Sequence, residues 1–275
     1  MIGSRVGTKT GSLLGAAVGS VADDETPSGV DPMAGVTRDA ASGKYFPANA
    51  AEWTITRAAA GISSGNPANL WLCQEASGNL ADSIGGTALA VAGTWNYQQA
   101  VTGFTRLAVV NPTDGLGARF TSAGDEISTS SEALFAVVQM PASGPGGTRS
   151  VMEVGTNATR DAIELANVGP VLRGRSVANI ADGTHDFTNA VRPCVLVSNR
   201  TGTEVIVATD QEKLLPTFGG TMAGTLITFG GVAGGNLCPN MGLMYACRFS
   251  GAAAELSAAQ VKSLLQVLGW SIPWS

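Results

Sequence analysis

A histidine within reach of carboxylates can move protons, and the same carboxylates can hold a hard cation. One stretch of this sequence offers both, Asp182-Gly-Thr-His185-Asp186. His185 is the single histidine of the chain, and an imidazole beside a carboxylate is a common general acid–base pair. Asp182 and Asp186, with loop carbonyl oxygens, would also suit calcium, which accepts oxygen ligands from irregular loops. Asp182, His185 and Asp186 therefore form the candidate ligand or calcium loop, and calcium is the one cofactor left open. No EF-hand spacing accompanies them. The competing expectation is a loop histidine, solvated or bonded to Asp186.

Glycoside hydrolysis needs two carboxylates roughly 5–10 Å apart, hence on one face of a sheet. The nearest approaches are Glu153 in SVMEVG and the pair Asp161 and Glu164 in RDAIELA. An odd spacing sends Asp161 and Glu164 to opposite faces of a strand. The expectation is a non-enzymatic protein with no catalytic residue. The four cysteines, Cys73, Cys194, Cys238 and Cys247, include no CxxC pair. With one histidine present, no zinc site is expected. Cys73, Cys194 and Cys247 stand among apolar neighbours, as buried free thiols do, and no essential disulfide is expected. The glycine-rich stretches at 144–147 and 230–235 lack a Lys-Ser/Thr and a following helix, so they read as loops and not as phosphate cradles.

Several partner classes fall to composition. Of 275 residues, 44% are apolar and only 13% charged, with 36 glycines and a net charge of −5. No run of Lys or Arg supplies the basic footprint that nucleic acid requires. Every apolar run ends well short of the roughly 20 residues a membrane helix needs. Residues 11–22 imitate a signal-peptide core after Arg5 and Lys9, but glycines break it, so no export signal is expected. The low charge leaves a neutral surface, either covered by neighbouring copies in a homo-oligomer or simply rich in Thr, Ser and Asn.

These residues must be positioned by short strands. From Asn69 onward strand-like stretches recur at about 69–74, 87–92, 105–111, 116–121, 133–140, 149–155, 161–166, 170–175, 194–199, 203–209, 224–229 and 242–250. Turn sequences such as SGN, TDG and NRTG separate them, and TEVIVAT alternates in the period-2 manner of a half-buried strand. In AELSAAQVKSLLQVLGW, Ser257 and Gln260 form a capping box, Leu256 and Val261 a hydrophobic staple, and Gly269 a stop. Residues 1–65 differ: little periodicity, Pro27, Pro32 and Pro47, and the acidic Asp23-Asp24-Glu25. They read as an extended docking arm anchored through Tyr45, Phe46 and Trp53, with Asn49 or Ala50 opening at most one helical turn.

Trp71 followed by SGNLADSIGG and then LAVAGT resembles the first hairpin of laminin G-like domains in the concanavalin A-like jelly-roll superfamily. GLGARFTSAGDEIST, ALFAVVQM, CVLVSNRTGTEVIVATDQEKL and the ending TLITFGG…LSAAQV are similar, in order, to later elements of that family. The segment Gly242–Phe249 departs from it by lacking the family's acidic residue. The resemblance covers residues 69–268. It implies an all-β protein: a two-sheet antiparallel jelly-roll sandwich over 66–275 with one short C-terminal helix, preceded by the 1–65 arm. It also implies a core role for Trp71, while Asp82 is expected to bond the amides of its own turn. A low-charge sandwich with such an arm resembles capsid-decoration or fibre proteins of tailed bacteriophages. The expected role is then structural or attachment, in a virion, with other virion proteins or its own copies as partners and cell-surface glycans as a further ligand. The alternative is a secreted or cell-surface carbohydrate-binding module.

Overall fold

A computed structural model of the chain describes residues 31–63, 65–111, 119–122, 130–142, 147–156, 159–166, 171–220, 226–231, 238 and 240–275. Residues 32–275 form one compact unit. Its first sheet comprises β1 (Asn69–Trp71), β3 (Asn96–Ala100), β4 (Leu107–Val110), β6 (Glu132–Gln139), β11 (Val191–Asn199), β12 (Glu204–Thr209), β13 (Lys213–Leu214) and β15 (Gly242–Ser250). The second comprises β2 (Ala90–Ala92), β5 (Arg119–Ser122), β7 (Arg149–Thr156), β8 (Thr159–Leu165), β9 (Val171–Ser176), β10 (Asn179–Asp186) and β14 (Ile227–Phe229). Neighbours run β13-β12-β11-β6-β15-β4-β3 in the first, with β1 also on β15, and β10-β9-β8-β7-β14-β5-β2 in the second. All pairings are antiparallel. The expected all-β sandwich is what forms.

Each of the twelve anticipated strand stretches overlaps a strand. Between the sheets lies one core of alternate residues, including Leu134, Ala136 and Val138 of β6 against Met152, Val154 and Ile163 of β7 and β8. The residues between them are buried too. Phe135, Val195, Ile206, Tyr245 and Phe249 form a second core on the other face of the eight-stranded sheet. Helices α1 (Ala50–Ala59) and α2 (Ala258–Val267) cover that face. TEVIVAT is therefore not half-buried: Val205, Ile206, Val207 and Ala208 are all at 0–1% exposure. A strand covered on both sides loses its alternation and reads as a continuous apolar run.

Helix α2 carries the capping box between Ser257 and Gln260, and Val261, Leu264 and Leu265 are buried beneath it. Helix α1 corrects the expectation of a single turn. Asn49 accepts from the Glu52 amide at 3.0 Å, and the Glu52 carboxylate turns back to the amides of Thr37 and Ala48. That capped start, followed by alanine-rich sequence, sustains ten residues. The docking surface of this segment also differs from the expectation. Phe46 and Trp53, at 1% and 0% exposure, pack on the chain's own sheet. Phe46 meets the edge of Tyr245, and Trp53 meets those of Phe135 and Phe249. Tyr45 is half-buried, its amide bonded to Leu268 O and its ring under the Arg38 guanidinium. Phe46 and Trp53 are thus used within the chain. Residues 1–30 of the anticipated arm lie outside the described residues.

Candidate functional site

Asp182, His185 and Asp186 are on a strand, not in a loop. They belong to β10, the outer edge of the seven-stranded sheet, where register shifts between Asp182 and Asp186. Each side chain has its own partner. Arg173 grips Asp182 through Nε and Nη2 at 2.5 and 3.1 Å, and His185 Nδ1 lies 3.2 Å from Glu212 Oε2. Asp186 accepts from the hydroxyl and amide of Thr188, which hold its pKa below the ordinary aspartate value. The strand does not gather the three around one point, and among the described residues no group of three or more His, Cys, Asp or Glu is placed to hold a metal. Sequence reading failed here because an exposed edge strand carries no apolar alternation.

The inner and outer faces of β8 separate Asp161 from Glu164 as the spacing demands. Asp161 points between the sheets, accepting from Ser198 Oγ of β11 at 2.6 Å. Glu164 points outward, but there it has company that single-strand parity could not reveal. Ser150 pairs with Glu164 and Glu153 with Ala162 across β7 and β8, with a bulge between Ser150 and Met152. Glu153 and Glu164 thus share the outer face, and one guanidinium spans them: Arg160 Nε is 3.1 Å from Glu153 and its Nη2 is 2.6 Å from Glu164. Arg175 adds a second contact to Glu164 at 2.8 Å. Both glutamates are fully buried. The exclusion of a carboxylate pair from one strand's spacing was incomplete, because a neighbouring strand supplies the second acid.

The open site lies at the opposite edge of the sandwich. β2 ends the seven-stranded sheet and β3 ends the eight-stranded one, and residues 93–95 cross between them. A cleft of about 330 Å³ opens there, lined by Gly78, Asn79, Val91, Gly93, Thr94, Trp95 and Tyr97. Trp95 is rooted in the inter-sheet core, its indole held against Gly230, where a Cβ would come within 2.9 Å of the ring. Gly230 also has φ +77°, so position 230 favours glycine on both counts. Two residues on, Tyr97 is half-buried against the same core and donates to Gly78 O at 2.5 Å. Burial, and then the Glu75 carboxylate, raise the pKa of its phenol, which keeps that donor protonated. Asn79 spends its oxygen on the Val91 amide at 3.2 Å, which leaves its NH₂ facing solvent. Trp95 is only 5% exposed and forms the wall of the cleft, so half-buried Tyr97, beside an amide and a hydroxyl, is the aromatic surface that a ligand with apolar and polar sides would meet. The alternation Trp95-Asn-Tyr97 was the available signal, obscured by the polar Gln98-Gln99 that follows.

Trp71 is the core residue expected, fully buried with Nε1 donating to Thr87 O at 3.1 Å. Asp82 does bond its own turn at the Ile84 amide, 3.0 Å, and it also ties the turn to β1 through Leu70 N and Asn69 Nδ2.

The sequence matches no family model and no curated protein. Solved structures share the fold. Trypanosoma rangeli sialidase in complex with 2,3-difluorosialic acid aligns with a TM-score of 0.57 at 11% identity, over 74% of this chain and 34% of that one. The same enzyme with sialic acid gives 0.56 at 11% identity, over 72% and 32%. The binding domain of botulinum neurotoxin DC in complex with SialylT gives 0.50 at 12% identity, over 74% and 52%. The chain thus spans about a third of the sialidase chains and about half of the toxin chain. The likeness holds at the level of the β-sandwich, and none of these three is named as a virion protein. It also corrects the expectation of a non-enzymatic chain: structures of this fold include chains named as a sialidase.

Proposed function

We propose that this chain is a glycan-binding β-sandwich module whose site is the cleft between β2 and β3. The observation behind it is the pairing of Trp95 and Tyr97 with Asn79 and Thr94 around an open cleft of about 330 Å³. A pyranose offers C–H faces to aromatic rings and hydroxyls to amides, so this lining matches its two chemistries. Structures sharing the fold are named in complexes with sialic acid and SialylT, which makes sialylated glycans and their desialylated forms the first ligands to compare. One copy should bind in the millimolar range, about 4 kcal/mol, and clustering of copies would raise this by avidity. Display on a virus-like particle would provide such clustering, and its support is the low charge of the sequence; co-sedimentation with a particle is its test. The glycan test is an array followed by NMR titration of wild type and Tyr97→Ala. Unchanged affinity in the variant would remove the cleft from consideration.

A second reading, glycoside hydrolysis, has one observation in its favour: Glu153 and Glu164 share a sheet face and one guanidinium. Reducing-sugar release that disappears in Glu164→Gln while the fold is retained would establish it.

A further inference from the structure

Away from the cleft, a second pocket of about 180 Å³ opens between Thr37, Arg38, Asp39, Gln74, Thr105 and Arg106. Its single acid is already saturated. Asp39 Oδ1 accepts from the amide and hydroxyl of Ser42, and Oδ2 from the amides of Thr105 and Arg106 and the Thr105 hydroxyl. Neither arginine has a carboxylate partner among the described ion pairs. Arg106 lies against the rings of Phe46 and Tyr245, 4.9 and 5.5 Å from their centroids, and sends Nη2 to Leu72 O at 2.9 Å. Its Nε is buried without an acceptor. Arg38 is exposed and uses Nε on Gly43 O at 3.0 Å, leaving its terminal amino groups for a ligand.

An arginine held by aromatic stacking and one backbone bond is pre-oriented, and its remaining donors form a planar fork that matches an oxyanion. The lining holds two guanidinium charges and one carboxylate, an excess of a single positive charge. That balance suits a monoanion, because a dianion would meet the Asp39 charge uncompensated. The volume is below the roughly 300 Å³ of a small-ligand site, so it would accept an anionic group and not a whole large ligand. We propose that the pocket between Arg38 and Arg106 binds the carboxylate of a small acidic ligand such as an acidic sugar.

This site is independent of the cleft, and the test separates the two. Glucuronate, N-acetylneuraminate, glucose and inorganic phosphate would each be titrated into the full chain by NMR. Arg38→Gln is the main variant, since an exposed side chain can be replaced without unfolding; Arg106→Gln is the second, and Tyr97→Ala the control. Binding of both carboxylates, at least tenfold weaker in Arg38→Gln and unchanged in Tyr97→Ala, is the expected result. No carboxylate binding by wild type, equal binding of glucose, tighter binding of phosphate, or an undiminished affinity in Arg38→Gln would each overturn the proposal.

Discussion

The indole of Trp53 in α1 donates to the Tyr245 hydroxyl of β15 at 2.8 Å, and that hydroxyl in turn donates to Pro47 O at 2.6 Å. One relay therefore joins the N-terminal helix, the centre of the eight-stranded sheet and the segment before the helix. Trp53→Ala should cost about 3–5 kcal/mol, the range for emptying a buried aromatic site. Trp53→Phe keeps most of the packing and loses one hydrogen bond, so about 1 kcal/mol plus a small packing loss is expected. Urea denaturation of both variants checks this; a near-neutral Trp53→Ala would mean that α1 is not docked on the sheet in solution.

Asp39 fastens the segment before α1 to the Thr105–Arg106 turn. Burial alone would raise its pKa, but the bonds from Thr105, Ser42 and Arg106 prevail and hold it well below the ordinary value of 3.8. An acid lowered on folding adds stability that is complete above its unfolded pKa and is lost as pH falls toward the folded one. Asp39→Asn should therefore destabilise at neutral pH by about 1.5–3 kcal/mol, as expected for bonds to a charged group. Its deficit relative to wild type should shrink as the medium is acidified below about pH 3.8. Denaturant midpoints collected across that range would show it, and a pH-independent deficit would refute it.

Asp161 carries the opposite sign. Burial between the sheets raises its pKa above 3.8, outweighing the bond from Ser198 and the Arg200 charge 3.6 Å away. The folded chain then retains this proton over a window where the unfolded chain has lost it, so stability falls as pH rises from about 3.8 through the raised value. Asp161→Asn keeps an acceptor for Ser198 and cannot ionise. Its melting temperature relative to wild type should rise as pH increases from about 3.8 through that raised value. A constant difference across that interval would show that the carboxylate is not strained by burial.

The strands that the sequence revealed are those with an apolar face, such as ALFAVVQ and GLMYACRFS. The three it hid are β3, β10 and β13, at or next to sheet ends, where NYQQA and NIADGTHD have no face to bury. Concealment of β10 produced the supposed metal loop, and concealment of β3 hid Tyr97. Helix α2 was legible because Ser257 and Gln260 are local signals. Helix α1 was under-read: its Asn49–Glu52 cap is local too, but the burial of Trp53 and Arg57 depends on residues far along the chain. Arg57 sends Nη1 to Ala253 O at 3.0 Å, a contact with no counterpart in nearby sequence. The same holds for Glu153 and Glu164, which meet only through strand pairing.

The lining of the cleft sets a preference among glycans. Gly78, Asn79, Val91, Gly93, Thr94, Trp95 and Tyr97 include no charged side chain. A sialic acid carboxylate entering there would lose hydration without gaining a cation, a desolvation cost that a neutral sugar avoids. Desialylated glycans should therefore bind the cleft at least as tightly as their sialylated forms, and Tyr97→Ala should weaken both. Affinity in a neutral cleft should also be nearly insensitive to ionic strength. Raising salt from about 0.05 M to about 0.5 M shortens the screening length several-fold, so a contact made by Arg38 would weaken while stacking on Tyr97 would not. NMR titration of one glycan pair at both salt concentrations separates these cases. Salt-sensitive binding lost in Tyr97→Ala would mean that the cleft recruits a charge from outside its lining, and the neutral-sugar preference would fall with it.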